Sequence, residues 1–161
     1  MSGDLFLRRK WTLRAHGKQV VFVKRANERT AHVLMKAFLW ALYLPAYPDL
    51  TVEVPVGDRY KPDVVALDRD GRPRFWAEAG QVRTRKIRSL GRRYRDTHFA
   101  IAKWDADLDL VTGVVSEALT GLERAAPVDI ISFPADSGER FVDERGQITV
   151  CFDDLEWVQL R

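Results

Sequence analysis

Hydrophobic and polar positions change their spacing several times along the chain, and each change predicts a different element. The opening segments are rich in β-forming residues and predict two antiparallel strands, Leu5 to Arg14 and Val20 to Lys24, around a His16-Gly17 turn. Apolar residues then recur at helical spacing from Ala31 to Leu42, which predicts an amphipathic helix. The chain therefore begins with a predicted hairpin and a long helix.

The remaining pattern predicts a meander of strands and then alternating helices and strands. Asp70-Gly71 predicts a tight turn within the meander, and Glu144 to Gly146 predicts a turn in a closing hairpin. Helices on both sides of one mixed sheet are the most economical arrangement, so the predicted fold class is α/β. The predicted strands are Leu50 to Val56, Asp63 to Leu67, Arg74 to Ala79, His98 to Trp104 and Val128 to Phe133, and the predicted helices are Val82 to Tyr94 and Leu108 to Ala125.

Length and composition favour one domain over residues 1–161. With 161 residues, 46% hydrophobic and 30% charged, the chain has the composition of an ordinary globular protein. Its apolar stretches are shorter than the roughly 20 residues that a membrane span needs. Met1 to Asp4 do not resemble a secretion signal. We therefore expect a cytoplasmic protein that does not enter a membrane.

The cysteine and histidines give no indication of zinc or disulfide chemistry. Cys151 is the only cysteine, which excludes an intrachain disulfide, and it is expected to pack inside a strand. His16, His32 and His98 lack the spacing of metal ligands, and each is interpreted as a surface or packed histidine.

Charge is strongly segregated along the chain. Residues 1–104 contain 22 Lys or Arg against 10 Asp or Glu, whereas residues 105–161 contain 4 against 13. Such a basic segment suits a polyanion such as nucleic acid, because each neutralised phosphate releases counterions. A solvated helix face balanced by the acidic carboxyl-terminal part explains the charge equally well. The densest basic run comprises Arg83, Arg85, Lys86, Arg88, Arg92, Arg93 and Arg95.

Two carboxylates are candidates for metal binding. Asp63 begins one predicted strand and Glu78 lies near the end of the next, so a tight hairpin brings the two acids close together. Adjacent buried carboxylates repel each other unless one is protonated or a cation lies between them. Oxygen ligands without cysteine or histidine suit Mg²⁺ or Mn²⁺. Taken singly, Asp63 is also explained as a turn acid and Glu78 as a carboxylate at a strand end.

A third acid, Glu28, is predicted to fall in the first turn of the first helix, which Asn27 is suited to cap. Interaction with the helix dipole or a capping role is the simpler explanation for a lone glutamate there.

The order of these residues resembles the PD-(D/E)xK nuclease superfamily: an early helical glutamate, a Pro-Asp opening a strand, and an acid ending the next strand before a basic helix. More narrowly, the chain resembles the YaeQ family within that superfamily. The resemblance implies a restriction-endonuclease-like mixed sheet flanked by helices, with additional antiparallel hairpins at both ends. The similar stretches are the helix from Glu28 to Tyr43, Trp76-Ala77-Glu78-Ala79-Gly80-Gln81, Arg85-Lys86-Ile87-Arg88 and the closing segment from Gly146 to Leu155.

The resemblance also implies a Mg²⁺ or Mn²⁺ site that serves a nuclease or phosphodiesterase acting on DNA or RNA. Asp63 and Glu78, with the backbone carbonyl of Ala79, would hold the metal, and Glu28 would be an accessory acid. The superfamily places a lysine two residues beyond the glutamate, where this chain has Gly80. Gln81 and Lys86 are the two candidates to replace that lysine.

The basic helix follows directly after this predicted site, so its arginines are candidates for binding phosphates. The alternative to an enzyme is an inactive nuclease fold that acts as a nucleic-acid-binding or regulatory module. A third alternative is that the basic helix docks on an acidic protein or on the acidic part of a second copy. The candidate phosphate-binding residues are Arg83, Arg85, Arg88, Arg92 and Arg93.

Overall fold

A computed structural model describes residues 7–161, so Leu5 and Phe6 of the first predicted strand lie outside the described residues. Strands and helices alternate over most of this range, in agreement with the predicted α/β class. The strands are β1 (Lys10–Ala15), β2 (Lys18–Val23), β3 (Thr51–Val52), β4 (Val64–Leu67), β5 (Pro73–Ala79), β6 (His98–Trp104), β7 (Val128–Phe133) and β8 (Glu156–Leu160). The helices are α1 (Thr30–Tyr43), α2 (Thr84–Arg93), α3 (Leu108–Ala118) and the short α4 (Ser137–Phe141), with a 3-10 turn at Phe152–Asp154.

Six of the strands form one mixed sheet in the order β3-β4-β5-β6-β7-β8. β5, β6 and β7 are parallel neighbours, whereas the pairs at either side of them are antiparallel. β1 and β2 form a separate antiparallel hairpin. The mixed sheet with flanking helices confirms the coarse architecture predicted from the sequence. The hairpin predicted at the carboxyl end is not formed as two strands: an isolated bridge joins Val142 and Ile148 across the turn, and β8 pairs with β7 instead.

Two apolar layers hold the helices against the sheet. α1 is apolar around most of its circumference and is buried from Val33 to Tyr43, where its Phe38 packs on Phe133 of β7. On the other side, Ile87 of α2 and Val115 of α3 belong to a second buried cluster with Trp76. The sheet is therefore covered on both faces, which suits its buried parallel strands.

The amino-terminal hairpin is fixed to the far end of the chain. The Arg14 amide donates to the Gly146 carbonyl over 2.8 Å, and the Ile148 amide donates to the Arg14 carbonyl over 2.7 Å. Gly146 has a φ of 80°, and a Cβ there would collide with the carbonyl oxygen of Thr12. Both the positive φ and the nearby Thr12 carbonyl oxygen therefore require glycine at position 146.

Several predicted elements are shorter than expected: the first strand begins at Lys10, and the basic helix spans Thr84–Arg93. The strand predicted from Leu50 to Val56 retains Thr51–Val52 only, because Glu53 adopts a φ of 55° that strand pairing does not allow. The helix predicted from Leu108 to Ala125 ends at Ala118, ahead of a turn in which Gly121 has a φ of 78°. Two short elements, α4 and the 3-10 turn, are not evident in the hydrophobic pattern.

Two predictions about single residues are wrong. Arg29, not Asn27, precedes α1, and no side chain caps this helix. Cys151 is exposed and lies before the 3-10 turn, outside the strands, where its thiol donates to Asp154. Within residues 7–161 no helix is long and apolar enough to span a membrane.

Candidate metal centre

Asp63 and Glu78 meet at the carboxyl end of β5. The pairing of Val64 with Ala77 places Asp63, one residue earlier, opposite Glu78. The Asp63 amide donates to the Ala77 carbonyl over 3.1 Å, and the Ala79 amide donates to Asp63 Oδ2 over 2.8 Å. The hairpin therefore brings the two predicted acids to one edge of the sheet.

The pKa values of both carboxyl groups are raised in this position. Burial raises the pKa of Asp63, although the hydrogen bond from Ala79 acts in the opposite direction. Burial and then repulsion by Asp63 raise the pKa of Glu78, against the opposing influence of Lys86. The two groups interact electrostatically, as expected for paired acids in a site of low polarity.

Lys86 provides the cation nearest to Glu78. Its Nζ lies 2.6 Å from Glu78 Oε1, while Trp76 Nε1 donates to the other carboxylate oxygen over 2.8 Å. Lys86 comes from the first turn of α2 and also lies 5.2 Å from the ring centroid of Tyr60. A lysine therefore reaches Glu78 from the following helix, whereas a side chain at Gly80 would point toward His32 and Met35 of α1.

The two acids contact different layers of the protein. Asp63 lines a cleft of about 340 Å³ beside α1, where His32 Nε2 lies 4.0 Å from its Oδ2. Glu78 instead lies beneath α2, against a small apolar cavity of about 20 Å³ lined by Ile87 and Leu90. A ligand that enters through the cleft would therefore reach Asp63 before Glu78.

Glu28 lies two residues before α1 rather than in its first turn, which corrects the sequence expectation. Its Oε2 accepts hydrogen bonds from His32 Nδ1 over 2.8 Å and from Lys36 Nζ over 2.6 Å. The buried Lys36 also forms an ion pair with Glu53. Burial raises the pKa of Glu28, but these bonds outweigh burial and lower it. His32 thus connects Glu28 to Asp63 along the cleft.

Sequence analysis missed His32, Lys36 and Glu53 as members of this group. The spacing of His32 and Lys36 by four residues was the available signal, because such positions share one helix face; Glu28 reaches both from the turn before the helix. Lys103 was also missed: it is half-buried and donates to the Gly80 carbonyl over 2.6 Å, and burial lowers its pKa.

The five candidate arginines divide into two groups. Arg88 donates to the carbonyls of Ala118 and Thr120, and Arg93 forms an ion pair with Asp58. These two side chains therefore hold α2 in place. The remaining three candidate arginines, Arg83, Arg85 and Arg92, are exposed, as is the candidate Gln81. Their side chains make no hydrogen bond or ion pair within residues 7–161.

Over the part of the chain that the structure describes, no group of three or more His, Cys, Asp or Glu side chains is arranged to hold a metal ion. The candidate centre therefore rests on two acids.

Replacing Asp63 with asparagine is expected to stabilise the protein at neutral pH. A carboxyl whose pKa is raised by folding stabilises the folded state at low pH, and that contribution disappears as the pH rises through the folded pKa. Asparagine removes the repulsion on Glu78 and still accepts from Ala79. We expect a gain of about 1 kcal/mol, or about 3 °C in melting temperature at pH 7, and no gain near pH 4.

Thermal unfolding followed by circular dichroism at both pH values measures this effect. Asp70→Asn, in an exposed turn, is the control and should leave the melting temperature unchanged. A lower melting temperature for Asp63→Asn at pH 7 would contradict the repulsion between the acids.

Some proteins of known structure share this arrangement of strands and helices. No protein-family model matches the chain, and no curated protein matches it significantly. Two solved structures of YaeQ proteins have a similar mixed α/β fold. The chain is similar to YaeQ from Pseudomonas syringae, with 19% identity, a TM-score of 0.61, and coverage of 84% of this chain and 75% of that one. It is also similar to YaeQ from Xanthomonas axonopodis pv. citri, with 16% identity, a TM-score of 0.61, and coverage of 94% and 93%.

Proposed function

We propose that the protein is a YaeQ-type member of the PD-(D/E)xK superfamily with a restriction-endonuclease-like fold, and that it cleaves phosphodiester bonds in DNA or RNA with Mg²⁺ or Mn²⁺. The observation that carries this proposal is the ion pair between Lys86 and Glu78, 2.6 Å long, beside Asp63, a second and half-buried acid. It supplies a lysine near the paired carboxylates although Gly80 occupies the usual lysine position.

The residues present suit a hard divalent cation in kind. Asp63 and Glu78 offer oxygen donors that repel each other, and a cation would relieve that repulsion. Asp63 Oδ1 accepts no hydrogen bond within residues 7–161, so it is available as a ligand. When bound, the metal supplies a positive charge that polarises the phosphate and acidifies water.

The chain's own side chains have separate roles in this proposal. Lys86 opposes the rise in the pKa of Glu78 and adds positive charge where negative charge develops on the phosphate. The exposed Arg83, Arg85 and Arg92 bind the flanking phosphates from the start and end of α2. Because these arginines contact the phosphates of the nucleic acid rather than its bases, binding should weaken steeply as the salt concentration rises.

A second candidate function is binding of nucleic acid without cleavage, and one observation favours it. Both oxygens of Glu78 already accept hydrogen bonds, from Lys86 and from Trp76. A metal would have to displace one of these donors. The same basic helix would still bind phosphates if no metal entered.

Cleavage of labelled single- and double-stranded DNA and RNA by the purified protein tests the proposal, with Mg²⁺, Mn²⁺ or a chelator present. We expect metal-dependent cleavage that falls at least about 100-fold in the Asp63→Asn, Glu78→Gln double variant. The matched control is Asp70→Asn, Glu144→Gln, which makes the same changes in exposed turns.

Cleavage by the double variant at the wild-type rate would overturn the metal site. Salt-sensitive binding by a wild type that does not cleave would favour the binding module instead.

A further inference from the structure

A second cavity, of about 490 Å³, lies far from the paired acids. It is placed between the end of α1 and His98, the first residue of β6, whereas Glu78 lies near the last residue of the parallel neighbour β5. The cavity is thus at the amino end of these strands and the candidate metal centre is at their carboxyl end. Its volume is within the range of small-molecule sites. Its aromatic lining comprises Tyr43, Tyr47, Phe152 and Trp157.

A buried carboxylate forms part of this cavity. Asp129 is only 2% exposed, and it accepts hydrogen bonds from Tyr43 Oη over 2.6 Å, His98 Nε2 over 2.6 Å and Gln159 Nε2 over 2.9 Å. Burial raises its pKa, but these hydrogen bonds outweigh burial and lower it. Asp129 is therefore ionised at neutral pH.

No lysine or arginine is among the described residues that line this cavity. The ion pair that the structure gives Asp129 is with His98. In the neutral imidazole, Nε2–H donates to Asp129 and Nδ1 accepts from the Tyr47 hydroxyl over 2.9 Å. The other described groups that donate to Asp129 are the Tyr43 hydroxyl and the Gln159 amide, which are uncharged, so the carboxylate would attract a cation in the cavity.

The aromatic rings favour the same kind of ligand. Phe152 lies 5.4 Å from Tyr43 and 4.8 Å from Trp157 between ring centroids, so the three rings form one continuous wall. Aromatic faces attract cations of low charge density. The Arg74 guanidinium, 5.5 Å from the Tyr47 ring centroid, shows that a ring of this cluster already carries a cation. Asp129 would repel an anion in this cavity.

We infer that this cavity binds a small organic cation, of the class of a methylated ammonium group, against Tyr43, Tyr47, Phe152 and Trp157 and near Asp129. The site is independent of the proposed nuclease activity. A quaternary ammonium group is weakly hydrated and enters such a pocket at a lower desolvation cost than Na⁺ or a lysine ammonium group.

Titration of the full ¹⁵N-labelled chain with choline, followed by the indole signals in NMR spectra, tests the inference. Trp157 is 40% exposed and lines the cavity, and its signal is identified by its absence in Trp157→Phe. The decisive comparison is with 3,3-dimethylbutan-1-ol, the uncharged molecule of the same shape, in buffers matched for ionic strength with NaCl. We expect a saturable shift of the Trp157 signal, with choline binding at least ten times more tightly than the alcohol.

Two variants extend the test. Trp157→Leu removes an aromatic face from an exposed position and should weaken choline binding about tenfold, whereas Leu110→Ala, 70% exposed on α3, should leave it unchanged. Equal binding of choline and the alcohol would overturn the inference, because the cavity would then be merely apolar. No saturable shift with choline would overturn it too.

Discussion

Replacing Lys86 with methionine will reduce metal-dependent cleavage at least about 100-fold and destabilise the fold by about 2 kcal/mol. The Nζ atom of Lys86 lies 2.6 Å from Glu78 Oε1, and the Glu78 side chain is only 10% exposed. Without this cation, burial and Asp63 together disfavour the ionised form of Glu78 more strongly. The pKa of Glu78 then rises further, and the metal loses a charged ligand.

Steady-state cleavage rates and urea unfolding measure the two effects. Lys86→Arg keeps the charge and should retain activity within about tenfold. Arg69→Met, in the exposed turn between β4 and β5, removes the same charge elsewhere and should change neither quantity.

The destabilisation should depend on pH in one direction. Lys86 stabilises only the ionised carboxylate, so the loss caused by Lys86→Met should be large at pH 8 and small near pH 4. Cleavage by Lys86→Met at the wild-type rate would show that Lys86 does not serve as the missing lysine, whatever its effect on stability.

Gly146→Ala should be the most destabilising of the glycine-to-alanine changes in turns, at about 3 kcal/mol, or about 10 °C in melting temperature. Gly146 combines a φ of 80° with a position where a Cβ would collide with the Thr12 carbonyl oxygen. A backbone atom cannot move aside as the end of a flexible side chain can. The change would separate the amino-terminal hairpin from residues 146–148.

Gly71→Ala is the matched control for this prediction. Gly71 also has a φ of 80°, but no atom lies within 4 Å of the position of a Cβ there. Alanine at this position should cost only the backbone strain, about 1 kcal/mol. Equal melting temperatures for the two variants would contradict the collision at Thr12.

The sequence predicts most elements of this fold because their hydrophobic spacing is strong. β6 and β7 occupy the predicted ranges His98–Trp104 and Val128–Phe133, and α1 covers the apolar pattern from Ala31 to Leu42, although it begins two residues after Glu28, which was predicted to lie in its first turn. Both strands are buried along nearly their whole length, so local pattern and tertiary packing agree.

Other elements depend on contacts that local patterns do not contain. The short strand β3 ends where Glu53 adopts a positive φ and pairs with Lys36 of α1. Cys151 was expected inside a strand, but its backbone amide and its thiol both bind Asp154 in a turn. Neither partner is distinguished by hydrophobic spacing.

The sequence predicts that the two acids of the candidate centre lie close together, but it does not predict which residues surround them. The Asp-Gly turn joins the two strands, so a local signal brings the two acids to neighbouring strands, and a bulge between Ala66 and Leu67 sets the register that places Asp63 opposite Glu78. Whether Gln81 or Lys86 approaches Glu78 depends on where α2 packs, and only the structure shows that Lys86 does so. The same packing assigns Arg88 and Arg93 to structural bonds, which a count of positive charges cannot reveal.

The junction between Arg14 and Gly146 has a consequence for synthesis of the chain on the ribosome. The Arg14 guanidinium also donates to the carbonyl of Arg145, 131 residues later. The amino-terminal hairpin is synthesised well before residues 145–148, to which it is hydrogen-bonded. A nascent chain must therefore keep the edge of β1 at Arg14 unpaired until residues 145–148 have been synthesised.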